Sequence, residues 1–380
     1  GDLVICGEVD RKPEYGGVDG FIMRTDFVGS VIWCSTVMVG AVPAGSGPPT
    51  SAEWFNALIE TQYGSKPGDI VAVGEATNGV TGLGRQGYVV RMNGLNGNIG
   101  GPLRGATYYG GAYDDAFHGV CEMSIGVDTS DLVFVGEGQI RWYKQRATKI
   151  YVVKSSEDPC VTRRQMLLGS VNDSTLTEFA MDVKEVAVSG LYDGTVAQGD
   201  LVLTGAVQVP AAGGPPHNGM EMLLLPVDGD SLWVKGWVRT FGDMFDGMQT
   251  ACCDGSAFEI GESIHVLGDG FILCGWSEGN LQHYSPGDPR DLYLVRANDS
   301  GDTRCQGLVD IDTLLITWPD SCRLPSVDKT VEEWELEPER VSMDTDHEVC
   351  EDGERPPCTG CTQTSADAPS TPETSSESAT

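Results

Sequence analysis

Five stretches of this chain are nearly the same strand: Asp2-Leu-Val-Ile-Cys-Gly-Glu8, Asp69-Ile-Val-Ala-Val-Gly-Glu75, Asp131-Leu-Val-Phe-Val-Gly-Glu137, Asp200-Leu-Val-Leu-Thr-Gly-Ala206 and Gly270-Phe-Ile-Leu-Cys-Gly-Trp276. Their shared glycines, Gly7, Gly74, Gly136, Gly205 and Gly275, are spaced 67, 62, 69 and 70 residues apart. A recurring unit of this size constrains the fold more than any local motif, because each unit must bury its apolar faces against its neighbours. A second apolar strand follows in each unit: Gly20–Asp26, Gly87–Asn93, Ile150–Ser156, Met222–Asp228 and Leu292–Asn298. Each ends in Asp, Asn or Ser, and Gly29, Gly94, Gly229 and Gly301 follow, which is turn chemistry.

Third strands are expected at 30–37 and 231–238, and fourth strands before the next unit, as at 54–59 and 117–123. Four short strands repeated about five times predict an all-β chain and a β-propeller of four-stranded blades. The count is five, or six if 308–340 forms a sheet of its own. Because the chain begins at the second strand position of a blade, Thr313–Trp318 is expected to supply the missing strand beside residues 2–9. One covariation adds detail. Glu8, Glu75 and Glu137 follow the strand glycine, while Arg24, Arg91 and Lys154 share a position on the next strand. The fourth unit has Ala206 and Pro226 instead. A Glu–Arg/Lys pair is therefore expected between adjacent strands in units one to three, with a contact of Arg296 on Trp276 in the fifth.

The Gly/Asp-Leu-Val strand ending in glycine, the glycine-rich loop and the Phe/Tyr-Val-Val-Arg strand resemble the β-propeller repeats (SBBP-like) of secreted and surface-exposed bacterial proteins. The resemblance covers residues 1–318 and implies a propeller fold; it carries no catalytic set. Domain boundaries follow as a propeller over 1–320, an acidic Cys-containing extension over 321–362, and a Ser/Thr/Pro-rich flexible tail over 363–380. The tail has too little apolar surface to fold alone and suits O-glycosylation or a surface stalk.

Composition narrows the partners. There are 24 Lys and Arg against 56 Asp and Glu, a formal charge of -32. Phosphate backbones are repelled, so nucleic acid is not an expected partner. The acidity favours solubility and also suits a divalent cation such as Ca2+, the one cofactor the sequence leaves open. No apolar run reaches the roughly 18 residues of a membrane span. There is no signal peptide, yet Gly1 lies within a repeat strand, so an N-terminal segment removed by processing or lying outside this sequence is expected. The twelve cysteines, Cys6, Cys34, Cys121, Cys160, Cys252, Cys253, Cys274, Cys305, Cys322, Cys350, Cys358 and Cys361, are scattered, which suits disulfides in an oxidising compartment. Asn172 and Asn298 head N-glycosylation sequons.

Several catalytic motifs fail on context. Gly82-Leu-Gly-Arg-Gln-Gly87 matches GxGxxG but runs into a strand, where a dinucleotide site needs a helix. Gly275-Trp-Ser-Glu-Gly279 matches a nucleophile elbow, with His283 and Asp288 nearby, but lacks the strand–turn–helix setting. Cys358-Thr-Gly-Cys361 suits a structural disulfide. His118, His217, His265, His283 and His347 show no paired ligand spacing. The acidic loop 344–353 lacks the EF-hand glycine and glutamate. Arg141–Lys149 is the one basic patch, an exposed loop or a docking site for another copy. The expected role is a non-enzymatic structural or adhesive module at the cell surface or outside the cell, acting on other copies of itself, surface proteins or glycans. The alternative is a glycan-binding or hydrolytic propeller with its site at the central channel.

Overall fold

A computed structural model describes residues 1–10, 18–37, 52–77, 84–111, 113–125, 129–142, 145–169, 177–187, 196–209, 217–226, 236–241, 259–277, 291–301, 306–307 and 312–314. Over these residues the chain is all-β, in five antiparallel sheets. The first holds β1 (Leu3–Asp10), β2 (Val18–Thr25) and β3 (Val31–Val37). The second holds β4 (Ala52–Glu60), β5 (Ile70–Thr77), β6 (Arg85–Met92) and β7 (Gly105–Tyr109). The third holds β8 (Asp115–Glu122), β9 (Leu132–Trp142), β10 (Gln145–Ser155) and β11 (Thr162–Gly169). The fourth holds β12 (Glu178–Glu185), β13 (Leu201–Val209), β14 (His217–Leu225) and β15 (Val238–Phe241). The fifth holds β16 (Glu259–Leu267), β17 (Gly270–Ser277) and β18 (Asp291–Asn298). Short β19 (Gln306–Gly307) extends the fourth sheet, and β20 (Asp312–Leu314) the third.

Two expectations about strand placement change. The strands expected to close one unit, β4 and β8, instead open the next sheet, pairing with β5 and β9. The described part of the expected closing strand, 313–314, lies along β11 and not beside β1, with Leu314 opposite Leu167. Residues 315–318 fall outside the described set. The turn chemistry agrees with expectation: the side chains of Asp26, Asn93 and Asn298 accept hydrogen bonds from the backbone of Val28, Leu95 and Ser300 at 2.9, 2.8 and 3.1 Å.

The strand glycines have one packing reason. Each lead strand carries a β-bulge opposite the glycine, at Phe55/Ala57, Phe117/Gly119, Ala180/Asp182 and Gly261/Ser263. A bulge pushes one residue out of the ladder and brings backbone towards the partner strand. A Cβ added at Gly74, Gly136, Gly205 or Gly275 would lie 1.8–2.0 Å from a lead-strand carbonyl oxygen. Gly7 has no lead strand among the described residues, and its Cβ would meet only the Phe21 ring, at 3.1 Å.

The sheets pack in chain order: β1 and β2 on β4, β4 to β6 on β8, β8 to β10 on β12, and β12 to β14 on β16. Alternation along each strand supplies both faces. Ile70 and Ala72 join the core shared with the first sheet, whereas Val71 and Val73 join the one shared with the third. Val133 and Leu203 meet between the third and fourth sheets, and Val202 and Phe271 between the fourth and fifth. Lead-strand glutamates tie neighbours together: Glu122 accepts the backbone N–H of Gln62 at 2.6 Å, and Glu185 that of Ser124 at 2.7 Å. Among the described residues, the stack leaves one apolar face open at each end. Leu3 and Ile5 are 56% and 41% exposed on the first sheet, and Leu292 and Leu294 are 72% and 61% exposed on the fifth.

The charge pairs form with different partners from those expected. The register sets Glu8 opposite Gly20 and Arg24 opposite Val4, four residues apart, and the other units behave alike. Antiparallel pairing brings the end of one strand to the start of its neighbour, so the cation meets the aspartate that opens the glycine strand. Arg24 reaches Asp2 at 3.0 Å, Arg91 reaches Asp69 at 3.2 Å, Lys154 reaches Asp131 at 3.6 Å and Arg296 reaches Asp269 at 2.6 Å. Trp276 instead donates to Glu262 at 2.8 Å. In the fourth unit Leu224, not Pro226, occupies the cation position. Arg91 and Asp69 are buried, and Arg104 adds a second contact to Asp69 at 2.7 Å. Breaking such a buried pair costs about 3–5 kcal/mol, against about 0–1 for an exposed pair like Arg296–Asp269.

Candidate functional site

The polar groups with unusual environments gather where the lead strands begin. Two residues before the glycine-facing position, β4, β8 and β12 each carry a buried acid: Glu53, Asp115 and Glu178. Each sits near the residue that faces the strand glycine from the other side, Tyr88, Tyr151 and Glu221 respectively. The three pairs are solved differently.

In the second sheet Glu53 lies beside the Tyr88 and Tyr108 phenols, whose rings are 5.1 Å apart; burial drives both phenols up. In the third sheet Asp115 accepts the backbone N–H of Gly111 at 2.8 Å and of Gln139 at 3.2 Å. Burial nevertheless pushes its carboxyl up to about 8, outweighing those bonds. In the fourth sheet Lys149 of β10 donates to Glu178 at 2.8 Å across the sheet boundary.

A more open cluster lies at the boundary of the second and third sheets. Arg85 donates to Glu75 at 2.6 Å and Glu137 at 3.2 Å, and its own N–H is held by Asp114 at 2.8 Å. Burial raises both glutamates, and Arg85 pulls them back down. The bulge residues Asn56 and His118 touch at 3.3 Å, and Asn56 also donates to the Phe117 carbonyl at 2.8 Å. Burial, with the Arg85 charge, holds His118 down at about 4, so its ring is neutral near pH 7. A neutral imidazole within reach of the Arg85 charge can hydrogen-bond polar hydroxyls.

The sequence candidates are dispersed. Asn298 is exposed at the last position of β18, and Asn172 lies outside the described residues. Cys6, Cys34, Cys121 and Cys274 are free thiols on separate strands, and Cys160 sits in the turn after β10. Cys252, Cys253, Cys305, Cys322, Cys350, Cys358 and Cys361 fall outside the described set, as do His283, His347, Asp288 and the acidic loop 344–353. Strand β6 begins at Arg85, within the GxGxxG match, and Ser277 ends β17. Among the described residues no group of three or more His, Cys, Asp or Glu is arranged to hold a metal. The end of the basic patch is corrected: Lys149 is buried, 4% exposed, and belongs to an ion pair.

Sequence reading missed Glu178 and Glu221 altogether. The available signal was Glu221 at a position occupied by Phe21, Tyr88, Tyr151 and Tyr293 in the other units, visible only once the register is known. No known family model matches the chain, and no curated protein matches it.

Proposed function

We propose that the five sheets belong to a β-propeller of the SBBP-like kind that serves as a non-enzymatic structural or adhesive module outside the cell. One observation carries this reading: the stack repeats a single packing mode and ends in two open apolar faces. Leu3 and Ile5 occupy the side that elsewhere receives the preceding sheet, and Ile272, Leu292 and Leu294 the side that elsewhere meets the following one. Joining these two sides within the chain closes a ring; joining them between chains extends a filament. The Ser/Thr/Pro tail and the acidic charge favour an extracellular setting. Electron microscopy of protein from its native source tests the reading. Rings of radial blades, single or arrayed, are expected, and an open, monomeric stack would overturn it.

A second reading, a glycan-binding propeller, is favoured by the Arg85, Glu75, Glu137 and His118 cluster, whose charged groups are only half-buried. Glycan-array binding that is lost in Arg85→Ala would support it over the first.

A further inference from the structure

We propose that Lys149 and Glu178 condense into an intramolecular amide that staples the third sheet to the fourth. Lys149 is 4% exposed and Glu178 fully buried, and Nζ lies 2.8 Å from Oε2. The chain makes room for this meeting. Lys149 is flanked on its sheet by two glycines, Gly138 on β9 and Gly169 on β11. A Cβ at Gly169 would lie 1.9 Å from Glu178 Oε2 and 2.4 Å from Lys149 Cδ, so any side chain there would displace the pair.

The third group is Glu221. It is 2% exposed, and neither carboxyl oxygen has a hydrogen-bond partner. An unsatisfied buried carboxyl requires a reason, because leaving such a group unpaired forfeits its hydration with nothing in return. It lies across side-chain-free Gly205 from β12, within electrostatic reach of both Glu178 and Lys149. Burial, and after it the Glu178 charge, raises its carboxyl well above the ordinary range, with Lys149 opposing them.

The reaction balances without a co-reactant. The Lys149 ammonium passes a proton to the Glu178 carboxylate, and the freed amine attacks Cδ of the resulting carboxyl group. Glu221 lends its proton to the carboxyl oxygen and recovers one from the nitrogen. One C–N bond forms, one C–O bond breaks, and a single water departs. The product is a neutral amide in place of a buried ion pair whose desolvation is unfavourable, and the water returns to bulk.

Intact mass of the full chain, expressed in bacterial cytosol, reduced and denatured, is the test. The folded protein is expected to be lighter than its sequence by one water. Its proteolytic digest should yield a branched peptide joining the Lys149 and Glu178 segments. Lys149→Arg and Glu178→Ala should restore the full sequence mass, as should Glu221→Ala in protein whose circular dichroism shows intact sheets. A wild-type mass equal to the sequence mass overturns the proposal, as does a deficit that survives Lys149→Arg. A deficit that survives Glu221→Ala overturns the proton-carrying part.

Discussion

Two titrating residues at one sheet boundary pull stability in opposite directions. Asp115 has a folded pKa of about 8 against about 4 in an unfolded chain, so its contribution is present at low pH and is lost as pH rises through that range. His118, at about 4 when folded and about 6.5 when unfolded, contributes above that upper value, and its contribution is lost as pH falls. Each full proton corresponds to a slope of about 1.4 kcal/mol per pH unit; the partly shielded His118 should give less. Relative to wild type, Asp115→Asn should therefore make denaturant-derived stability rise more steeply with pH between about 5 and 7. His118→Gln should make it fall more steeply between about 4 and 6.5. Parallel curves for wild type and both variants would show that neither environment is as buried as the geometry indicates.

Among elements, the lead-strand bulge and the strand glycine form one unit. Gly136→Ala would place a Cβ 2.0 Å from the Ala116 carbonyl oxygen, inside backbone that cannot move without breaking the ladder. The expected loss is about 3 kcal/mol or more, at or beyond the upper end for overpacking. Gly7→Ala meets only an aromatic ring edge at 3.1 Å, and should cost less than about 1 kcal/mol. Urea unfolding of the two variants decides between this account and one in which all five glycines merely suit a turn, which would make the two losses equal.

For the whole molecule, the end faces are the decisive feature. Leu294 is more than half exposed on a face whose counterparts in the second to fourth sheets are buried. If the face is covered in solution, Leu294→Asp should lower the melting temperature by several degrees, or reduce the sedimenting mass if the cover is another copy. A charged residue on a free surface would change neither measurement.

The repeat made the all-β class, the strand glycines and the Asx turns readable, because these depend on period and local backbone chemistry. Strand order, partner choice and depth did not follow. Asp2, Asp69 and Asp131 were in plain view at the head of each strand, but only antiparallel register brings them to Arg24, Arg91 and Lys154. Likewise Lys149 reads as part of a basic run until β10 is packed against β12. Sequence alone determined which residues alternate and where the chain turns; the tertiary structure decided which sheet each face meets, because burial and charge pairing depend on distances between residues far apart in the chain.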